Sequence, residues 1–354
     1  MLNRTLVAVF LRGGADGLAL VPADGDADYQ RARPRLAQSR GTGTILDERF
    51  SLATELAALA PLWHAGQLAV VHDVASGDDT RSHFYAQPLL ERGGERAAGG
   101  WIARFALARG THGLSALAFG TAIPESLRGA ASVSAVRELD DLDPGPRVTA
   151  LGQRLAALYD TDPWLGAPAA DTRSALERLR GLRRADYRPE RGAEYGSDGF
   201  SIELAQAAQL IKLGVDLPAV CIDLHGWDSH VAQDQFLAPL MRILAGGLAA
   251  FALDLGPALE RVSIVVYTEF GRRVGENSAL GTDHGHGFVS FVIGGGVRGG
   301  VHGTWSGLGA TSLLGPGDLP GTVDYRRVLA PVVERHGVDA RRVFPDFDGE
   351  PIPL

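Results

Sequence analysis

Residues 5–11 read Thr-Leu-Val-Ala-Val-Phe-Leu, a continuous apolar run closed by Arg12-Gly-Gly14. A strand that is apolar at nearly every position has to be covered on both faces, the condition of a central strand in a parallel sheet. Shorter runs of the same kind recur at 68–72, 114–119, 219–222, 262–267 and 288–293. Helical spacing fills the intervals at 52–65, 83–92, 101–109, 148–159, 172–184, 202–213 and 233–255, and again at 325–336. Strands alternating with helices predict parallel βαβ units, and so an α/β sandwich with a mostly parallel central sheet. The stretch 96–195, rich in Arg, Ala, Gly and Asp and poor in strand signals, reads as a helical insertion or cap within a single domain spanning 1–354.

Composition excludes several classes of function. The chain of 354 residues is 45% hydrophobic, enough for a large core. A formal charge of −8, with Lys212 the lone lysine, leaves no basic stripe for a nucleic-acid backbone. Cys221 is the single cysteine, so neither an intrachain disulfide nor a cysteine-based metal site can be built. No run of about eighteen apolar residues suggests a membrane span. The N-terminus enters its first strand without a cleavable leader pattern, which predicts a cytoplasmic protein as the sequence stands, or a periplasmic or secreted one if an export leader has been removed.

Two short segments concentrate possible ligands. Gly281-Thr-Asp-His-Gly-His-Gly287 places Asp283, His284 and His286 within four positions between glycines. About fifty residues earlier, Ile222-Asp-Leu-His-Gly-Trp-Asp-Ser-His230 holds Asp223, His225, Asp228 and His230. Neutral imidazole and carboxylate are ligands for divalent transition metals, and a turn lets neighbouring side chains converge on one point. Asp16 follows the first strand, and Glu269 and Arg272 follow the strand at 262, so the candidates collect at strand carboxyl ends, where open α/β sheets bind ligands. Asp79-Thr-Arg-Ser-His-Phe84 opens a helix after the strand at 68. There Ser82 is either an N-cap or a nucleophile, and Arg81 is either solvated or holds an anion. Glu269 is a ligand, a proton carrier or the ion-pair partner of Arg272. His302, alone in a glycine turn, is a weaker candidate.

Phe10-Leu-Arg-Gly-Gly-Ala-Asp-Gly17, Arg81-Ser-His-Phe84 with Glu91-Arg-Gly93, Gly226-Trp-Asp-Ser-His230, Thr268-Glu-Phe-Gly-Arg272 and Gly281–Gly287 together resemble the bacterial domain-of-unknown-function family numbered 1501. That family is similar in fold to the alkaline phosphatase and sulfatase superfamily, whose members hydrolyse phosphate or sulfate esters at sites with one or two metals. The resemblance implies an alkaline-phosphatase-like three-layer sandwich. It also implies metal ligands Asp16, Asp228, His230, Glu269, Asp283, His284 and His286, and Ser82 as nucleophile at a helix start. Two registers are open: Asp283-His284-Gly-His286 as the phosphatase Asp-His-x-His segment with His302 beyond it, or Glu269-Phe-Gly in the place of the sulfatase Asp-His-Gly. The strand feeding Glu269 favours the second. Ser82-His-Phe-Tyr-Ala departs from the sulfatase Cys/Ser-x-Pro-x-Arg signature, so formylglycine is not expected.

The expectation is therefore a metal-dependent hydrolase of small anionic phosphate or sulfate esters. Ser82 or a water attacks, Arg81 and Arg272 steady the anion, and His83 assists proton transfer. One or two divalent ions are implied, with zinc the best match to mixed Asp/His ligation and manganese, iron or calcium as alternatives. Rival expectations are a non-catalytic binding or assembly partner for another protein, and a phosphomutase-type enzyme.

Overall fold

Strand β1 (Thr5–Arg12) lies in the middle of the molecule, parallel to β7 (Ala219–His225) on one side and to β8 (Val262–Tyr267) on the other. The protein is seen in a computed structural model that describes residues 4–110, 114–130, 133–142, 162, 166, 170 and 186–354. Beyond β7 come β5 (Ala116–Phe119) and β6 (Val133–Val136); beyond β8 come β9 (Phe288–Gly294), β4 (Leu68–Ala75) and β10 (Gly300–His302), with the short β11 (Val323–Asp324) also pairing β4. A separate two-residue ladder joins β2 (Thr44–Ile45) and β3 (Ser51–Leu52).

The burial of β1 follows from its sequence. Val7, Val9 and Leu11 enter one core, and Leu6, Ala8 and Phe10 enter the other, because side chains alternate across a strand. The helices Gly199–Lys212 and Gln233–Leu255 supply side chains to the first core, and Trp101–Arg109 and Tyr325–Arg335 to the second. The result is a three-layer α/β/α sandwich.

One strand departs from the expected parallel alternation. β9 runs antiparallel to both β8 and β4, because the chain between 267 and 288 contains no crossover helix and can only turn back. This reversal places the start of β9 at the same sheet edge as the carboxyl ends of β1, β7 and β8. The glycine-bounded loop 281–287 leads directly into that start.

The described part of the expected 96–195 cap is not a separate helical layer. β5 and β6 extend the main sheet, and β6 was not foreseen because its Val-Ser-Ala-Val sequence is short and only partly buried. The expected helices 148–159 and 172–184 lie outside the described residues. Lys212 is spent on Asp254 at 2.9 Å and Glu190 at 2.8 Å, which ties the return segment near 190 to the helical layer.

Contrary to expectation, one described segment is long and apolar enough to cross a membrane: the helix Gln233–Leu255 with its continuation to Arg261. Half of its most apolar window is buried inside the fold. A Cβ on Gly247 would fall 2.9 Å from the Phe200 ring, so the helix Gly199–Lys212 packs closely against it. Consecutive apolar residues underrate such a helix, since scattered polar positions such as Arg242 and Asp254 interrupt the run without lowering its average much.

Glu203, on the helix Gly199–Lys212, carries a carboxyl pushed up to about 7 by burial and by the charges of Asp223 and Asp198. A carboxyl raised on folding stabilises below its unfolded value, near 4.5, and loses that contribution as pH climbs through about 7. Glu203→Gln should therefore raise Tm at pH 8, by an amount equivalent to about 1–3 kcal/mol, and change it little at pH 4.5. Equal Tm shifts at both pH values in thermal melts would contradict this.

Candidate metal centre

The carboxyl ends of β1, β7 and β8 meet the loop 281–287 around a single buried guanidinium. Arg272 donates to the carbonyls of Gly13, Gly14, Trp227 and Thr282 at 2.5–3.2 Å, and to Asp228 Oδ1 at 2.7 Å. The 268–274 strand end pairs with the loop through Gly271 N to His286 O, Gly285 N to Gly271 O and Arg273 N to Asp283 O. Gly13 is required here: at φ +124°, a Cβ would fall 2.5 Å from Asp228 N.

Above Arg272 sits a cluster of potential ligand atoms. His284 Nε2, His230 Nε2 and Asp228 Oδ1 lie 3.0–3.1 Å from one another. His284 Nδ1 is 2.9 Å from the carbonyl oxygen of Arg81, an acceptor only, so Nδ1 carries the proton and Nε2 presents its lone pair. Burial holds the His284 imidazole below its usual value, against the pull of Asp228 and the Arg81 carbonyl, which keeps the ring neutral. A neutral Nε2 and a carboxylate oxygen at hydrogen-bond distance have no proton between them. Burial opposes ionisation of Asp228, but the neighbouring His284 ring and the hydrogen bond and charge of Arg272 outweigh it and hold the carboxyl down at about 2.

On the other side of Asp228, His83 Nε2 approaches Oδ2 at 3.5 Å and is buried without a hydrogen-bond partner. Its Nδ1 is 2.7 Å from Glu269 Oε1. Glu269 is fully buried and also accepts from Gly13 N, Gln87 Nε2 and Thr268 Oγ1. Burial again works against ionisation, and the bonds from His83 and Gln87 overcome it, so the carboxyl falls to about 2. A carboxylate behind one ring nitrogen with the other left open is the arrangement that aims an imidazole at a metal.

Among the described residues, His83, Asp228 and His284 bring three ligand atoms within 4.8 Å of one another. The donor set fits a divalent transition metal. Bonds of about 2.0–2.1 Å put neighbouring ligand atoms about 3.0–3.4 Å apart in octahedral or tetrahedral geometry, the spacing of His230, His284 and Asp228. Buried Phe270 underlies both rings, its centroid 4.8 Å from those of His83 and His284.

Several expected site residues take other work. Asp16 is buried against Arg33 at 2.6 Å, accepts from Gln233 at 2.6 Å and caps the helix Gly17–Leu20, so these contacts take up its oxygens. Arg272 is buried among carbonyls and bonded to Asp228. Arg81 is paired through Nε with buried Asp318 at 2.6 Å and serves the site through its backbone carbonyl. Glu269 stands behind His83, without an ion pair to Arg272. Asp283 stands behind His230, 3.5 Å from Nδ1, and also holds Asn277 and Arg273. The His286 ring lies against Gly321, away from the cluster, and a Cβ there would fall 2.6 Å from its Nε2. Asp223 pairs with Arg12 at 2.9 Å, and His302 spends Nε2 on the Arg298 carbonyl. His83 joins the ligand atoms, where a proton carrier was expected. Ser82 is the N-cap residue of the helix His83–Arg92, yet its side chain makes no capping hydrogen bond. The hydroxyl is thus free of the task most often given to serine at that position.

Asp318, Gln87 and Phe270 were not singled out from the sequence; only Phe270 lay inside a motif that could have pointed to it. Arg81 adopts a left-handed φ of 54°, which turns its carbonyl toward His284 while its side chain reaches Asp318. Asp318→Ala should weaken metal affinity by up to about 10-fold, the low end of the effect of a ligand's direct partner, because it acts through Arg81. Competition against a chromogenic chelator measures this, and an unchanged dissociation constant would remove Asp318 from the site.

Fold and cluster define an α/β sandwich with a histidine–carboxylate site at the carboxyl edge of its parallel strands. The model of the family described as "Protein of unknown function (DUF1501)" matches residues 176–354, half of the chain, and the chain belongs to that family. No curated protein matches it in sequence. Among solved structures, it is similar to a putative sulfatase from Bacteroides thetaiotaomicron, at 9% identity and TM-score 0.42, covering 99% of this chain and 76% of that one. It is also similar to the alkaline phosphatase from the Antarctic bacterium TAB5, at 12% identity and TM-score 0.34, covering 85% and 95%. A third is the lipoteichoic acid synthase LtaP from Listeria monocytogenes, at 10% identity and TM-score 0.37, covering 99% and 74%.

Proposed function

We propose that the protein is a metal-dependent hydrolase of phosphate or sulfate esters, with the metal held by His83, Asp228, His230 and His284. One observation supports this above the rest: two imidazole nitrogens and a carboxylate oxygen converge at 3.0–3.1 Å while a third imidazole nitrogen beside them is buried and unpartnered. A bound divalent metal would supply positive charge for a phosphoryl or sulfuryl oxygen and lower the pKa of a nearby hydroxyl or water. Glu269, Asp283 and the Arg81 carbonyl fix the three rings from behind. Arg272 draws Asp228 into place. Ser82, the chain neighbour of His83 at a helix N-terminus, offers its uncommitted hydroxyl as the nucleophile, where the helix end favours developing negative charge. Arg273, partly exposed where it pairs with Asp283, is the guanidinium offered to the anion.

The test is metal removal with chelator, restoration with zinc or manganese, and assay on aryl phosphate and aryl sulfate. Ser82→Ala should lower turnover by at least about 100-fold, roughly the loss for an acting nucleophile or its activating partner, and leave the bound metal in place. Turnover untouched both by chelation and by Ser82→Ala would end the proposal.

A further inference from the structure

Large apolar side chains are exposed on three chain segments that also carry site residues. Phe84 and Tyr85, directly after His83, are 90% and 70% exposed. Val231, directly after His230, is 57% exposed, and Phe236, on the first turn of the helix Gln233–Leu255, is 60% exposed. Leu314, 53% exposed, is hydrogen-bonded through the backbone to Asp318, the partner of Arg81. These segments are joined around the cluster: Ala232 N donates to Ala279 O, Gln233 accepts from Thr282, and the Arg81 carbonyl meets His284. Single exposed hydrophobic residues are ordinary. Here five of the ten large exposed ones among the described residues sit beside site residues, whereas Ile45, Leu107, Ile123, Leu213 and Leu253 are spread over other elements.

We propose that this collar receives the hydrocarbon part of an amphiphilic anionic ester whose charged head lies at the metal centre. The proposal rests on the site described under Proposed function and adds its substrate class. Phe84 and Val231 adjoin candidate ligand residues in the chain, which puts apolar surface within reach of a group attached to an anion held there. A small hydrophilic ester would leave all five in water. Five side chains expose on the order of 500 Å², below the roughly 800 Å² per partner of a standard protein interface. Their distribution over three segments around one point suits a flexible chain better than a flat protein face.

Calorimetric binding of methyl-, butyl-, hexyl- and octylphosphonate to the zinc-loaded protein tests this without reference to turnover. Affinity should rise about 2-fold per methylene, half the free-energy increment of complete burial. The double variant Phe84→Ser, Phe236→Ser should flatten that dependence and leave methylphosphonate binding unchanged. Equal affinity across the series, or an unaltered dependence in the double variant, overturns the collar while the anion site stands. Failure of every phosphonate to bind, methylphosphonate included, overturns the anion site and the collar with it.

Discussion

Asp228→Asn should abolish tight metal binding, lowering affinity by more than about 100-fold, beyond the range seen for partners one layer out, without unfolding the protein. The asymmetry follows from the hydrogen-bond chemistry of the cluster. Asp228 Oδ1 faces two imidazole nitrogens at 3.0 Å and Arg272 Nη2 at 2.7 Å. An asparagine in the same pose keeps its carbonyl oxygen toward Arg272 and places an amide N–H at the Oδ2 position, 3.5 Å from the unpartnered Nε2 of His83. The metal-free variant should therefore melt no lower than the metal-free parent. Elemental analysis after dialysis and thermal melts with and without zinc check both halves. Retained stoichiometric metal in the variant would show that Asp228 is not a ligand.

Arg272→Ala should cost more than about 4 kcal/mol, a large share of the stability of an ordinary domain. The side chain is fully buried and its loss strands the carbonyls of Gly13, Gly14, Trp227 and Thr282 together with one side of Asp228. Each orphaned buried acceptor carries a penalty of about 1–3 kcal/mol. Lysine has one nitrogen in place of the fork, so Arg272→Lys should recover only a fraction. Tm is expected to fall by at least about 5 °C in the alanine variant. A normal Tm accompanied by weakened anion binding would return Arg272 to the role of an anion clamp.

The sheet was legible because its central strands are apolar throughout; the runs at 5–11 and 262–267 leave few alternatives. β9 was found as a strand but not as a reversed one, since direction depends on the connection before it and the 268–287 loop has no pattern of its own. β10 and β11 are too short to carry periodicity. In the site, Asp228, His230 and His284 were readable from spacing. The division between side chains that face the cluster and those standing behind them was not. Asp16 and Glu269 look alike as acidic residues at strand ends, and only the tertiary position of Arg33 against one and His83 against the other separates them. Arg81 and Asp318 are far apart in sequence, and nothing local announces that a backbone carbonyl in a left-handed conformation will choose a histidine tautomer.

The reversed strand also orders events during folding. Asp228 hangs from β7, His83 follows β4, and His284 precedes the one strand that must slide between β8 and β4 before those two can belong to the same sheet. Until that insertion happens, His83 and His284 have no common neighbourhood, so zinc uptake during refolding should report the docking of β9 between β8 and β4.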